Sequence, residues 1–284
     1  MITAHSVTNF LMKKRRFAIN LKIFSMPYAV WLFLFSVLPM VFVLYYSITN
    51  SENNFTLENF FEIKNYSRTF VRSIVFSSIS TLISFLLGYP AAYAISKLSK
   101  KLQKIAVAGV ILQMWISFLL IIYSLMTIME SNGIINKFFN IFGIDCPIIN
   151  TKIAVIIGMV YASLPYMILP IYSSLSKLDV KIIEAAQDLG AGKLKIFTKI
   201  IFPLSTPGVL SGFLMVFAPN MSSFIISKML GGSENVLIGE VIELKFLGGQ
   251  YNPWSGSTIA IILMFFIIIC TSVVGYLVYY KSEK

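Results

Sequence analysis

The sequence predicts an all-α polytopic membrane protein with six transmembrane helices, and three observations carry that expectation. Several apolar runs reach about 20 residues, the length a helix needs to cross a bilayer. Lysine and arginine lie almost entirely outside those runs. One segment, 173–203, is a polar island between two runs that are hydrophobic enough to span. Of the 284 residues only 12% are charged and 57% are hydrophobic, with a mean hydropathy of +0.81. Soluble domains carry about 25% charged residues, so an ordinary soluble fold is excluded. Within lipid every backbone polar group must be satisfied internally, which selects helices for runs of this length.

The first element follows a basic tail, 1–26, with Lys13, Lys14, Arg15, Arg16 and Lys22 and no acid. The apolar segment from Pro27 to Ile48 is longer than the roughly 7–15 residues of a cleaved signal. Ser47-Ile48-Thr49-Asn50 offers no small-x-small cleavage site, so this segment reads as span one. A loop of balanced charge, 49–69, leads to span two, 70–96, which contains Gly88 and Pro90. Lys97, Lys100, Lys101 and Lys104 separate it from span three, 105–129. Ile134, Ile135, Phe138, Phe139 and Phe142 predict a short helix lying at the outer surface. Span four, 153–172, holds Pro165 and Pro170; span five, 205–229, holds Pro207 and Pro219-Asn220. A Gly- and Asn-rich stretch, 231–257, precedes span six, 258–280, and a tail, 281–284.

Six spans put both termini and the 173–203 island on one side. The segments on that side hold 16 of the 23 Lys and Arg and four of the 12 acids. Positive charge stays on the cytosolic side of a membrane, so the island and both termini are expected in the cytosol. The net charge of +11 therefore reports orientation, and nucleic acid is not an expected partner.

Within the island, Asp179 is a good N-cap, and Ile182, Ala185, Ala186 and Leu189 recur at i, i+3, i+4 and i+7. A short amphipathic helix follows. Gly190 ends it, and Gly190-Ala191-Gly192 supplies a tight turn. Leu194, Phe197 and Ile201 then share a face opposite Lys195 and Lys199, and Pro203 is expected to stop this second helix. Too polar to cross lipid, the unit needs a receiver outside it.

The order Glu184-Ala185-Ala186, three residues, Gly190, nine residues, Ile200, then a hydrophobic pair before Pro203 resembles the EAA signature of ABC importer permeases. Phe202 stands where that family usually has Leu. The resemblance implies a type I ABC importer permease fold over 27–280, with 173–203 as a coupling loop that docks into a cytosolic ATPase through Glu184, Ala185, Ala186, Gly190 and Pro203. It also implies ATP and Mg on that partner rather than on this chain. The remaining implied partners are a second homologous permease, an ATPase dimer, an extracytoplasmic substrate-binding protein and the lipid bilayer.

More of the chain narrows the resemblance. Leu230-Gly231-Gly232, Leu237-Ile238-Gly239, Ile242, Phe246 and Pro253-Trp254 resemble the permeases of spermidine/putrescine importers, as do Trp115, Ser117, Tyr123, Gly133-Ile134-Ile135-Asn136 and Thr56-Leu57-Glu58-Asn59-Phe60. Polyamine import is the implied activity. Thiamine, ferric ion and aminophosphonates are the cargo alternatives, and an ATP-independent secondary transporter is the alternative of another class. Gln113, Ile121 and Lys228 depart from the pattern, Lys228 standing where an Asp is common.

Other chemistry finds little material. Gly190-Ala191-Gly192-Lys193 is not a nucleotide-binding loop, because Gln187 stands at the first Gly of that motif and Leu194 follows the lysine. Cys146 and Cys270 define neither a disulfide framework nor a metal site, and His5 is the sole histidine. For the pathway, Trp115, Tyr123, Tyr161 and Phe217 offer π-faces to a cationic amine. Pro219-Asn220 predicts a helix break beside a polar amide near mid-span. With no acid at the centre of any span, Glu130, Glu240 and Glu243 near the outer ends are the acidic candidates, the last two on one face of a helix over 236–246.

Overall fold

A computed structural model describes residues 26–52, 54–141, 148–249 and 251–282. The basic tail before Met26, Phe142 and Cys146 lie outside the described residues, as do Asn53, Gln250, Glu283 and Lys284.

Among the described residues six helical stretches are long and apolar enough to span a bilayer. Helix α1, Met26–Ser47, is the first. A short turn, Glu58–Phe61, precedes α2, Ile63–Lys97, which begins seven residues before the expected start of span two. Its early start follows from the loop below it. Asn59 Nδ2 donates to the Thr49 carbonyl at 2.8 Å and gathers 49–59 into a compact turn, so the chain turns helical as soon as it leaves.

Span three is two helices rather than one: α3, Lys100–Trp115, and α4, Phe118–Met129, joined by extended backbone at Ile116 and Ser117. Helix α5, Ile134–Asn140, is the short helix expected after span three and ends before Phe142. Helix α6, Lys152–Leu175, is the most buried span and packs against both α2 and α8. The first helix of the polar island, α7, is Val180–Asp188.

Helix α8, Lys193–Ser222, corrects two expectations at once. Pro203 does not stop the chain. One widened turn, Phe197–Ile201, with Phe202 N–H donating five residues back to Phe197, absorbs the missing proline N–H and its bulky ring. The island's second helix and span five are therefore one continuous rod. The rod also runs straight through Pro219, and the break comes three residues beyond Asn220, where Ser223 is extended. A further helical segment ends at Gly231, α9 spans Ile238–Leu247, and α10 spans Pro253–Ser282.

Three apolar clusters hold the bundle. Tyr89, Met167, Ile171, Ile196 and Ile201 join α2, α6 and α8 at the coupling-loop end. Phe76, Ile122, Met159, Ile226 and Leu230 join α2, α4 and α6 with the 225–231 segment at the other. Phe217, Met221, Ile238 and Ile259 bring α8, α9 and α10 together. Helices α6 and α8 approach so closely that a Cβ on Gly208 would lie 2.6 Å from the Pro170 carbonyl oxygen, so glycine is required there. Helix α1 sits outside this core and joins α10 where Thr258 Oγ1 donates to the Ser47 carbonyl at 3.2 Å.

Candidate functional site: a docking loop and a walled cavity

The candidate docking loop is built from its caps. Asp179 Oδ1 accepts from the Lys181 N–H at 3.0 Å and starts α7. Gly190 ends it with φ +78°, while Gly190 N–H donates to Gln187 at 2.8 Å and Ala191 N–H to Ala186 at 3.0 Å. This pairing closes a helix through a left-handed residue that only glycine adopts without strain. Nothing lies within 4 Å of a Cβ placed on Gly190, so its constraint is backbone conformation, not space.

The orientation of α7 decides what the loop can do. Ile183 and Ala186 turn inward onto the cluster around Ile171 and Ile201. Ile182, Ala185 and Leu189, three of the four residues of the predicted stripe, face outward, as do Glu184 and Leu194. Leu189 is 88% exposed and Leu194 77%, an unusual state for leucines beside a well-packed cluster. Small, charged and apolar groups thus share one open surface.

Behind that surface the loop is fixed to the bundle by rings. Phe197 meets Tyr89 and Tyr93 edge to face, each at 5.8 Å, and Phe202 lies 5.7 Å from Tyr89. The Tyr89 hydroxyl shares a 2.9 Å hydrogen bond with Ser205 Oγ. Phe202, the departure from the EAA pattern, fills this ring cluster, which ties the loop to α2.

The second feature is a cavity of about 330 Å³ at the α3–α4 break, walled by Gln113, Ile121, Pro165, Tyr166, Met215 and Pro219 among others. Of the expected pathway candidates Pro219 lines it, whereas Trp115, Tyr123, Phe217, Asn220 and Glu240 do not. Trp115 and Tyr123 stand on the neighbouring outer face, 83% and 58% exposed. Phe217 is buried and stacked on Phe213, and Asn220 is buried with its Nδ2 donating to Ser80 Oγ at 3.1 Å. Asn220 thus faces α2. Gln113 and Ile121, read from sequence only as departures, line the cavity; their apolar and amide character gave no signal of that placement.

Glu240 lies elsewhere, in α9. It is 8% exposed, and its Oε2 has no hydrogen-bond partner. Burial raises its carboxyl above the ordinary carboxylate range, Ser227 and Lys228 pull it back, and Glu243 pushes it up again. Lys228 Nζ lies 2.8 Å from Glu243 Oε1, so the lysine that replaces the expected acid meets an acid one helix away. Glu240 and Glu243 do share a helix in the 236–246 neighbourhood, but Glu240 is buried and Glu243 is half-buried and paired with Lys228.

No described cluster of His, Cys, Asp or Glu has the makings of a metal site. Six candidate spans, an exposed amphipathic helix whose following segment is tied to the bundle by rings, and a cavity beside a broken span are the features of this multi-pass membrane chain. The chain belongs to the family of binding-protein-dependent transport system inner membrane components, whose model matches residues 84–281.

Individual relatives agree. The spermidine/putrescine transport system permease protein PotB of Haemophilus influenzae is 38% identical over 268 residues, covering 89% of this chain and 91% of its own. That of Escherichia coli is 38% identical over 239 residues, covering 80% and 87%. Among solved structures, a bacterial ABC transporter that imports the acidic polysaccharide alginate aligns with a TM-score of 0.74 over 96% of this chain and 97% of its own, at 17% identity. The MetNI methionine ABC transporter aligns with a TM-score of 0.57 over 76% and 95%, also at 17% identity. These structural likenesses establish the type I ABC importer permease fold.

Proposed function

We propose that this chain is the permease subunit of an ABC importer that moves polyamines of the spermidine/putrescine class inward across the cell membrane. The 38% identity to spermidine/putrescine permeases across nearly the whole chain is the observation that carries the cargo class. The open surface of Ile182, Glu184, Ala185, Leu189 and Leu194 supports the docking of α7 on an ATPase. ATP and Mg belong to that ATPase dimer. A second homologous permease covers the exposed face of Trp115 and Tyr123, and an extracytoplasmic binding protein delivers cargo at the α9 end. Both termini and the coupling loop lie in the cytosol, a placement the charge distribution supports.

The cargo path runs from the α9 end, past Glu240, to the cavity at the α3–α4 break. Polyamines are flexible polycations, and Glu240 and Glu243 are the acids nearest that route on this chain. Trp115 and Tyr123 add π-faces from the permease interface, while Phe217 and Asn220 shape the wall from behind, through packing and the Ser80 hydrogen bond. ATP-driven closure of the ATPase pair moves the coupling helices, and the bundle converts between inward- and outward-facing states.

Receptor-stimulated ATP hydrolysis by the reconstituted complex tests the assignment. Stimulation that depends on spermidine-loaded receptor and disappears in Glu184→Lys supports it; hydrolysis indifferent to receptor and substitution overturns it.

A further inference from the structure

Helix α9 carries two carboxylates against a single answering cation. Glu240 and Glu243 stand three residues apart and so share a face of that helix. Lys228 Nζ reaches Glu243 Oε1 at 2.8 Å from the segment that ends at Gly231, and this is the one ion pair among the described residues. Glu240 lies beside Ser227 and within electrostatic reach of Lys228. Lys245, on the same helix, is turned away, its Nζ 5.7 Å from the centroid of the Tyr66 ring, and Arg72 on α2 donates to the Glu234 carbonyl. Two buried oxygens stay without a hydrogen-bond partner, Glu240 Oε2 and Glu243 Oε2. Leaving buried carboxylate oxygens unpaired is costly, so this face is short of one positive charge.

The acids are held from behind by backbone. A Cβ on Gly239 would run into the Ser222 carbonyl, so α9 lies directly against the end of α8, where Ser223 is extended. The Ile238 N–H donates to Ser73 Oγ on α2 at 2.8 Å and fixes the first turn of α9 from another side. Glu240 comes next but one and is 8% exposed. The lysine has no such support: its side chain is 51% exposed, against 16% for that of Glu243. A fixed acidic seat thus lies under a flexible cationic cover.

A lysine side chain is an alkyl stem ending in a primary ammonium, and a linear polyamine ends in the same way. Whatever Lys228 gives Glu243, the end of such a molecule can give too, and a polyamine has a further ammonium for Glu240. We propose that Glu240 and Glu243 form a seat for cargo ammonium groups, and that Lys228 occupies it in the cargo-free chain as a tethered surrogate that cargo displaces. Lys228 then sets specificity. A monoamine only replaces the contact that the lysine gives up, whereas a diamine also meets the unpaired oxygen of Glu240. This deepens the polyamine reading and rests on it.

The test is equilibrium binding of labelled putrescine to the receptor-free complex in detergent at constant ionic strength, with unlabelled butylamine as the monoamine competitor. In wild type, butylamine should compete far more weakly than unlabelled putrescine. Lys228→Met removes the tethered competitor, so the half-saturating putrescine concentration should fall several-fold, while Lys228→Arg should stay near wild type. Glu243→Gln should raise it several-fold in either background, and Glu240→Gln should bring putrescine down to the level of butylamine. Equal competition by the two amines in wild type, or a half-saturating concentration that Lys228→Met and Glu243→Gln leave unchanged, overturns the proposal. If Lys228→Met fails to assemble, an unchanged value in Glu243→Gln overturns it alone. ATP-driven spermidine uptake by wild type separates the two claims. Uptake present while the substitutions leave binding unchanged overturns the seat only; uptake absent overturns the polyamine reading and the seat with it.

Discussion

The Gln113 side chain donates to the main-chain carbonyl of Tyr161 at 2.9 Å, and Tyr161 stands four residues before Pro165. Proline has no N–H, so that carbonyl has lost its helical partner. Helix α3 supplies the missing donor to α6 across one edge of the cavity. The proline in α6 and the amide on α3 are therefore one device.

It follows that Gln113→Leu should destabilise the chain by about 1 kcal/mol, the scale of a hydrogen bond between membrane helices. In a Pro165→Ala background the N–H returns, and the same substitution should cost much less. Thermal unfolding of the four variants in a double-mutant cycle measures this, and strict additivity would contradict it.

Gly190→Val forces a β-branched residue to φ +78°, at a cost of about 1–2 kcal/mol, in a place with room for the side chain. The variant should insert and fold while receptor-stimulated ATP hydrolysis falls several-fold. Gly190→Asn, which tolerates the left-handed region, should retain most of it. Equal loss in both would point to a requirement for bare backbone rather than for conformation.

Leu189 and Leu194 contribute little to the fold because they touch water, so L189D/L194D should leave thermal stability within about 0.5 kcal/mol. The same variant should lose co-purification with the ATPase. Retained co-purification would remove the apolar edge of α7 from the docking surface.

Glu240 gives a pH signature with a definite sign. Its carboxyl titrates above the ordinary 4.5 when folded, so between that value and its raised one the folded chain binds more protons than the unfolded chain. Stability therefore declines as pH rises through that window and then levels off. Glu240→Gln should abolish this decline, read as melting temperature against pH relative to wild type. At the neighbouring pair, Lys228→Glu alone should destabilise the outer end, and the exchange K228E/E243K should restore part of it.

Six spans, the Asp179 cap, the Gly190 turn and the short helices at 134–140 and 238–247 were legible because each rests on local rules: apolar length and periodicity, cap chemistry and left-handed backbone. Pro203 misled because a proline read alone stops a helix, whereas one widened turn at Phe197–Ile201 lets the rod continue. The break at Ile116-Ser117 carries neither Pro nor Gly, so nothing in an apolar run announced it. Asn220 sits beside Pro219 as read, yet its amide finds Ser80 on another helix, a partner 140 residues away. Cavity walls assemble from such distant pairs, which is why Gln113 and Tyr166 had no signature.

The central claim is tested most directly by uptake of labelled spermidine and putrescine into proteoliposomes holding the assembled complex, wild type beside Glu184→Lys. Uptake should require both ATP and receptor and should collapse in the variant. Uptake that proceeds without ATP, or that survives Glu184→Lys undiminished, would contradict the coupling of cargo movement to a partner ATPase through α7.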